Sequence, residues 1–279
     1  MRTAQAVSRT PAVDHWLSNS SHPRVLHIFE HACNLINEHR QVLSIVGPAI
    51  GNGPFNLVIE ENISFNQYLS PESSITLQAK EVFSGNLKID LLNSQPWDPR
   101  PNWEVLHDKR ADIIQRLAEA AIPDHRTDIP AAFISSFSTA LAVRDLSTVL
   151  AVAPKLAGLG NGLTPAGDDF IMGALHAAWI IHPSDIATSL GQQIAEAAAP
   201  LTTSLSAAWL RSAGRGEAGI LWHEFFDALI AVGRTDSPIY TTKVQHAINK
   251  ILSVGETSGL DALAGFANAL KCSTEPKTT

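Results

Sequence analysis

A glycine-rich stretch ahead of an apolar segment carries the residues best suited to chemistry. It reads Gly-Leu-Gly-Asn-Gly-Leu-Thr-Pro-Ala-Gly-Asp-Asp over residues 158–169 and leads into an apolar run that ends at Ile181. Glycines at alternate positions allow positive φ angles, and Thr164 followed by Pro165 is typical of a helix N-cap with proline at the first helical position. The pattern predicts a glycine loop (residues 158–165) that feeds the N-terminus of a core helix.

The chemistry of this loop depends on its N–H groups and on the two carboxylates that follow it. A helix N-terminus suits a phosphate, a carboxylate or a developing oxyanion. Asp168 and Asp169 would repel a bare anion, unless a cation lies between them or they bind an amide or ammonium group. We therefore expect a small zwitterionic, amide-bearing or metal-bridged ligand. The candidate binding residues of the stretch are Gly158, Gly160, Asn161, Gly162, Thr164 and Gly167.

A purely structural role is the alternative for this stretch, since glycines form tight turns and acidic residues complement a helix dipole. The spacing also differs from two known phosphate-binding fingerprints. A dinucleotide-binding motif has an acidic residue at the end of the following strand, and a P-loop continues with Gly-Lys-Ser/Thr. This sequence has neither feature. The stretch is therefore not a nucleotide-binding motif of either kind.

Two later stretches resemble the first in their chemistry. Residues 200–206 are rich in hydroxyls and begin a predicted helix, and residues 255–265 place hydroxyls and a glycine ahead of a helix with Asp261 in its first turn. If the three helix starts converge, they form a composite anion pocket edged by three carboxyl groups; simple helix capping is the alternative. The candidate catalytic residues are Asp168, Asp169 and Asp261, and the further binding candidates are Thr202, Thr203, Thr257, Ser258 and Gly259.

The composition argues against several classes of protein. The 279 residues carry a formal charge of −7, which disfavours binding to nucleic acid through its phosphates. No apolar run approaches the length of a membrane span, and the first residues lack the apolar core of a signal peptide. Cys33 and Cys272 are too few for a disulfide framework or a thiolate zinc site. We expect a cytoplasmic protein that contacts neither nucleic acid nor membrane.

Local patterns divide the chain into four parts. Residues 1–23 are polar and predict a loosely attached N-terminal arm. Residues 24–95 alternate short β-type segments with Gly, Pro, Asn and Ser breaks, which predicts a small antiparallel β domain, a sandwich or a barrel. Residues 96–102 hold three prolines and predict a linker. Residues 103–279 are rich in alanine with helical spacing, so the predicted fold is α+β with a mainly α-helical second domain.

Three details of this pattern are specific enough to be tested. Residues 25–36 read as a single β-type segment, and Gly51-Asn52-Gly53-Pro54 reads as a hairpin or bulge connection that could lean toward the helical domain. Residues 103–121 read as one amphipathic surface helix.

The three helix starts, together with Gly53-Pro54, resemble a bacterial domain-of-unknown-function family associated with one subunit of the oxamate carbamoyltransferase of allantoin breakdown, a purine-catabolic pathway. The glycine-loop motif is highly specific to that family, and the resemblance extends from about residue 24 onward. It implies carbamoyl transfer between phosphate and oxamate, in which oxalurate and phosphate give oxamate and carbamoyl phosphate. It also implies a hetero-oligomer with other carbamoyltransferase subunits, and it carries over no catalytic residue.

Carbamoyl transfer agrees with the residue types. The loop N–H groups and Thr164 suit a phosphate, a carboxylate and the oxyanion of a tetrahedral intermediate. The aspartates suit the NH₂ groups of the substrates, and one of them can act as a general base if burial raises its pKa. Because the three stretches contain no arginine, we take Arg211 or Arg215 as the hypothetical cation for the anion.

Two other functions remain open at this point. The chain could be an independent metal-assisted hydrolase or lyase of a small acidic or amide metabolite, with Asp168 and Asp169 holding Mg²⁺ or Mn²⁺. It could also be a non-catalytic subunit that binds the small-molecule substrate or serves as a scaffold. No cofactor other than such a divalent cation is expected.

Overall fold

The computed structural model describes residues 1–78, 80–120, 122, 129–231 and 238–274. It divides into two compact units, Met1–Pro99 and Arg100–Thr279. The first unit is built on a β-sheet, and the described elements of the second unit are all helices. This arrangement confirms the predicted α+β fold class.

The described strands of the first unit form one barrel-like sheet. Its strand order is β2-β3-β4-β5-β1-β8-β7-β6, with β9 beside β1. Arg24 in β2 forms a bridge with Ser74, just before β6, so the two edges of the sheet nearly meet. The strands are β1 (Arg2–Arg9), β2 (Arg24–Ile28), β3 (Ala32–Ile36), β4 (Val42–Val46), β5 (Asn56–Ile59), β6 (Ile75–Gln78), β7 (Glu81–Ser84), β8 (Leu87–Asp90) and β9 (Gln95–Pro96).

The sheet is mixed, whereas the sequence pattern predicted an antiparallel one. β4 pairs with β5 in parallel, and β1 pairs in parallel with β8 and β9. Parallel neighbours need a connection that returns the chain to the same end of the sheet. Residues 47–55, which include the predicted turn 51–54, make that return between β4 and β5. The segment 25–36, expected to be continuous, is instead the antiparallel hairpin of β2 and β3.

The N-terminal residues belong to the sheet and do not form the loosely attached arm that we expected. β1 lies between β5 and β8, and helix α1 (Pro11–Asn19) buries Val13 and Trp16 in the same core. The inward positions of β1 are held by Ala4 and Ala6. Small alanines alternating with polar residues gave a weak strand signal, so the sequence pattern missed this strand.

Ten described α-helices follow in the second unit. They are α2 (Trp103–Asp108), α3 (Arg110–Glu119), α4 (Ala131–Val143), α5 (Leu146–Leu156), α6 (Ala166–Ile181), α7 (Ser184–Ala198), α8 (Ser204–Gly214), α9 (Ile220–Ile230), α10 (Pro238–Leu252) and α11 (Ser258–Cys272). The helix predicted over residues 103–121 is broken at Lys109 into α2 and α3, and its last residue lies outside the described part. None of the described helices combines the length and apolar character needed to cross a lipid bilayer.

Helix α6 lies at the centre of this unit and packs closely against α11. A Cβ atom added to Gly173 would lie 1.8 Å from the carbonyl oxygen of Ala262, and one added to Gly265 would lie 2.0 Å from that of Phe170. Only glycine allows the two backbones to approach so closely. The glycines therefore allow direct backbone contact between α6 and α11 beyond their first turns.

Candidate functional site

The glycine loop that precedes α6 has the backbone conformation that its sequence predicts. The φ angles of Gly158, Gly160 and Gly162 are +71°, +113° and +94°. A Cβ atom added to Gly158 would lie 2.8 Å from the carbonyl oxygen of Leu201, whereas one added to Gly162 would meet nothing within 4 Å. The first glycine is therefore required by packing as well as by φ, and the last lies on the open side of the loop.

Thr164 joins this loop to the start of α11. Its hydroxyl lies 2.8 Å from the hydroxyl of Ser258, and the two share a hydrogen bond. The predicted N-cap role of Thr164 is wrong, because α6 begins at Ala166 with Pro165 in the cap position and no side-chain cap bond. The side chain bonds across to another helix start instead of to its own.

Asp168 and Thr203 join the loop to the start of α8. Asp168 accepts one hydrogen bond from the N–H of Gly158 at 3.0 Å and another from the hydroxyl of Thr202. Thr203 caps α8 and also donates its hydroxyl to the carbonyl oxygen of Leu163 at 2.7 Å. The three helix starts therefore converge, as the sequence analysis anticipated.

Both oxygens of Asp168 are satisfied, although the carboxyl is only 2 % exposed. Burial raises the pKa of Asp168, and the hydrogen bonds from Thr202 and Gly158 oppose that rise. The geometry makes Asp168 a positioning residue that ties the loop to α8.

Asp169 differs from its neighbour because its Oδ2 atom is buried and has no hydrogen-bond partner among the described residues. The residue is 5 % exposed, and burial raises its pKa to about 8. The negative charges of Asp261 and Asp168 add to the rise, whereas hydrogen bonds from Ser258 and Thr164 oppose it. At neutral pH, Asp169 is therefore mostly a neutral carboxyl group that can donate a proton.

Asp261 completes the group of carboxyls from the first turn of α11. It is 1 % exposed, and its N–H donates to the carbonyl oxygen of Thr257 at 2.9 Å. Its charge acts on Asp169, so the two carboxyls share one electrostatic environment. The structure thus brings all three predicted aspartates together at one place.

Some predicted binding residues have backbone roles that leave no N–H for a ligand. The N–H of Gly167 donates to the carbonyl oxygen of Leu159 at 2.9 Å, and that of Gly259 donates to Val254 at 3.1 Å. A Cβ atom added to Gly259 would lie 1.8 Å from the carbonyl oxygen of Ile251. These two glycines therefore serve packing. Thr257 precedes α11, is exposed and makes no side-chain cap bond.

The outer part of the loop keeps donors that nothing in the described chain uses. The N–H groups of residues 160–164 make no hydrogen bond within the described residues. Asn161 and Gly162 are exposed in the same segment. Such a run of free N–H groups beside a helix N-terminus suits an anion or a developing oxyanion.

The sequence analysis missed Ser206 as part of this arrangement. Ser206 is 1 % exposed, its hydroxyl lies 3.4 Å from the carbonyl oxygen of Leu163, and it also lowers the pKa of Asp168. Its position three residues after the cap Thr203 was the available signal, because the N–H at that position donates the capping hydrogen bond to the Thr203 hydroxyl.

The arginines predicted to serve this site lie at the wrong end of α8. Arg211 is in the last turn and pairs with Glu196 at 3.5 Å, and Arg215 follows the helix and pairs with Glu217 at 2.7 Å. With a rise of about 1.5 Å per residue, they lie roughly 10 Å or more along the axis from the start of α8. Their position and their pairing with glutamates do not support the hypothesis that either one reaches the anion.

The described residues contain no group of three or more His, Cys, Asp or Glu side chains arranged to hold a metal ion. A described cavity of about 330 Å³ lies elsewhere, between α3 and the C-terminal ends of α6 and α11, and Arg110 and Ile181 are among its lining residues. None of the carboxyls discussed above lines that cavity. This cavity is therefore separate from the three helix starts.

Comparison with known protein families identifies the family of this chain. Residues 156–270, which contain all three helix starts, match the family described as oxamate carbamoyltransferase subunit AllH. Residues 5–96 match the AllH family N-terminal domain, so the two matches together span more than half of the chain. The chain belongs to the AllH family. This confirms the resemblance seen in the glycine-loop motif and extends the match into strand β1. No solved structure matches the chain.

The AllH family is described as a carbamoyltransferase subunit, and this agrees with the class of reaction that the resemblance implied. The word subunit also implies that other carbamoyltransferase chains take part. The family description names no substrate-binding or catalytic residue.

Proposed function

We propose that the three helix starts bind oxalurate and phosphate and support carbamoyl transfer between oxamate and phosphate, within an assembly of carbamoyltransferase subunits. The observation that carries the proposal is Asp169. Its carboxyl is 5 % exposed at the junction of the helix starts, and its Oδ2 atom has no hydrogen-bond partner in the described chain. A buried polar atom without a partner costs about 1–3 kcal/mol, so its retention favours a role toward a ligand.

The reaction begins when a phosphate oxygen attacks the carbamoyl carbon of oxalurate. The carbonyl oxygen then becomes an oxyanion, and the free N–H groups of residues 160–164 are placed beside a helix N-terminus where they suit that charge. The bond between the carbamoyl carbon and the oxamate nitrogen breaks next. The products are carbamoyl phosphate and oxamate.

Asp169 supplies the proton that the departing oxamate nitrogen needs. The attacking phosphate carries a hydroxyl proton, which restores the acid form of Asp169 and balances the transfer. A pKa of about 8 suits this exchange, because a general acid or base works best when its pKa lies near the working pH. In the reverse direction the carboxylate accepts a proton from the oxamate NH₂ group.

A thermal-shift panel on the isolated chain tests ligand binding. The ligands are phosphate, carbamoyl phosphate, oxamate and oxalurate, and a ligand at about 100 times its Kd stabilises by roughly 2.7 kcal/mol. We expect stabilisation in the natural chain that is lost in Asp169→Asn. Asp185→Asn is the matched control, because Asp185 is also in the first turn of a long helix but is exposed.

The assembled enzyme tests the role in the reaction. We expect Asp169→Asn to lower kcat by about 10²- to 10⁴-fold, as loss of a general acid does, while Asp185→Asn leaves kcat unchanged. Full activity of the Asp169→Asn assembly would contradict the proposal and favour a scaffold subunit. Stabilisation of the isolated chain by Mg²⁺ or Mn²⁺ alone would instead favour the metal-assisted hydrolase or lyase.

A further inference from the structure

The loops around the helix starts expose aliphatic side chains. Leu163, Leu201 and Val254 are 37 %, 55 % and 44 % exposed, and we call these three residues the aliphatic rim. They are three of the four large hydrophobic side chains that the second unit exposes among its described residues, the fourth being Val143. Exposed apolar side chains grouped around a polar centre are typical of an interaction surface.

Each rim residue is fixed to the site by the backbone. The carbonyl oxygen of Leu163 accepts the hydroxyl of Thr203 at 2.7 Å. Leu201 directly precedes Thr202, whose hydroxyl is bonded to Asp168. The carbonyl oxygen of Val254 accepts the N–H of Gly259, in the first turn of α11, at 3.1 Å. A partner that covers the rim therefore also covers the glycine loop and the buried carboxyls.

The charges at the site fit a partner that carries a cation. The groups that act on Asp168 and Asp169 are other carboxyls, hydroxyls and the N–H of Gly158, with no cationic side chain among them. On two neighbouring helices, Lys250 of α10 pairs with Glu224 at 2.7 Å, and Lys155 of α5 lies over the ring of Phe133. A negatively charged substrate beside Asp168, Asp169 and Asp261 needs a positive charge that these residues do not provide.

We propose that another subunit of the carbamoyltransferase docks on the aliphatic rim with an apolar surface and inserts an arginine or lysine side chain among the three helix starts. The interface at the rim shields the ligand from water, and the inserted cation binds the phosphate or the substrate carboxylate. The need for the cation rests on the proposed function, whereas the apolar docking surface stands on the exposed rim alone. The active site is then shared between two chains.

Assembly is measured first, with the full chain and the other carbamoyltransferase subunits purified separately. The Kd of the complex is determined for the natural chain, for Leu201→Ser, for Leu163→Ser/Leu201→Ser and for Val143→Ser. We expect the double variant to bind about tenfold more weakly or worse, as hot-spot residues do, and Leu201→Ser to show an intermediate loss. Val143→Ser is the matched control and should stay within about twofold of the natural Kd. Val143 ends α4, which meets the C-terminal end of α11 through Thr139 and Cys272.

Three outcomes overturn the proposal. An unchanged Kd in the double variant removes the rim from the interface. The chain alone could instead form a concentration-dependent dimer that is lost in the double variant. That result would assign the rim to an interface with a second copy of this chain. The arginines and lysines of the partner subunit that become buried in the complex are then replaced by alanine one at a time. We expect one of these variants to assemble normally and to raise the KM for phosphate about tenfold or more. An unaffected KM in all of them removes the inserted cation.

These results are separable from a failure of the proposed function. The Kd of the complex requires no catalytic activity, so the rim is tested even if this chain performs no chemistry. An Asp169→Asn assembly that is fully active, together with a weakened double variant, would reject the proposed function and keep the docking surface.

Discussion

The first turn of α6 and its last turns differ in how completely their buried polar side chains are hydrogen-bonded. At the C-terminal end, the indole N–H of Trp179 donates to the carbonyl oxygen of Ala213 at 3.1 Å, and the ring of His182 is hydrogen-bonded to the carbonyl oxygen of Leu141 at 2.9 Å. In the first turn, the Oδ2 atom of Asp169 has no such partner among the described residues. Since an unmade buried hydrogen bond costs stability, the last turns favour stability, whereas Asp169 in the first turn lowers it.

Asp169 and His176 lie two turns apart on α6, and burial shifts the pKa of each side chain. His176 is 2 % exposed among the rings of Trp103 and Trp222, and burial lowers its pKa to about 3. Burial raises the pKa of Asp169 to about 8. Both groups are therefore neutral near pH 7, because a buried site disfavours the charged form of either type. Only Asp169 lies beside a loop with free N–H groups.

The largest expected effect on the free energy of unfolding is at the C-terminal end of α6. Trp179→Ala removes a side chain that is 1 % exposed together with its hydrogen bond, and should lower the free energy of unfolding by about 3–5 kcal/mol. Urea unfolding followed by circular dichroism measures the loss. Val143→Ala, at an exposed position, is the control and should change stability by less than about 0.5 kcal/mol. A loss below about 1 kcal/mol for Trp179→Ala would contradict the comparison.

The contact between α6 and α11 should show the next largest effect. The methyl group of Gly173→Ala would lie 1.8 Å from the carbonyl oxygen of Ala262, so the two helices must separate. We expect a loss of about 1–3 kcal/mol in the free energy of unfolding. The separation would also move the first turn of α11, so ligand-induced stabilisation should fall as well. Unchanged stability would mean that the two backbones are not held this closely.

The pH dependence of stability distinguishes Asp169 from His176. Between 3.8 and about 8 the folded state holds a proton on Asp169 that the unfolded state lacks, so stability falls as pH rises through that range. For His176 the unfolded state holds the extra proton between about 3 and 6.5, so its contribution to stability rises with pH. The two effects oppose each other at low pH. Above pH 6.5 the effect of Asp169 remains, because its pKa is about 8. Burial also raises the pKa of Asp168, so the contribution of Asp168 to stability has the same sign as that of Asp169.

Asp169→Asn should therefore flatten the fall in stability between about pH 6.5 and pH 8. At about 1.4 kcal/mol per pH unit, the difference from the natural chain across this range is about 2 kcal/mol. Urea unfolding at several pH values within it, without ligand, gives the two slopes. Equal slopes would show that Asp169 is ionised in the folded chain at neutral pH. Asp185→Asn, at an exposed position, should keep the natural slope.

The smallest effect is expected at the open side of the glycine loop. Gly162 has a φ of +94°, and a Cβ atom added there meets nothing within 4 Å. Gly162→Ala should therefore cost only the backbone strain, about 1–2 kcal/mol, and less than Gly173→Ala. If the loop binds the ligand through its N–H groups, the variant should also weaken stabilisation by carbamoyl phosphate or oxalurate. A stability loss larger than that of Gly173→Ala would reverse the expected order.

Much of the local structure was predictable from the sequence because it depends on short-range rules. The alternating glycines, the proline at 165 and the apolar run to Ile181 predicted the loop and α6 nearly to the residue. Hydroxyls ahead of α8 and α11 identified the other two helix starts. The same rules failed for β1, where alanines gave a weak strand pattern, and for the break at Lys109, which depends on how α2 and α3 pack.

The tertiary structure decided what the helix starts do together. Thr164 was expected to cap its own helix, but it meets Ser258, which is 94 positions away in the chain. Both oxygens of Asp168 have hydrogen-bond donors, whereas Oδ2 of the adjacent Asp169 has none among the described residues. Thr202, just before α8, brings a hydroxyl to Asp168, and α11 brings the carboxyl of Asp261 close to Asp169. Periodicity and capping patterns report contacts within a few residues. The position of a buried proton depends on long-range packing, which those patterns do not contain.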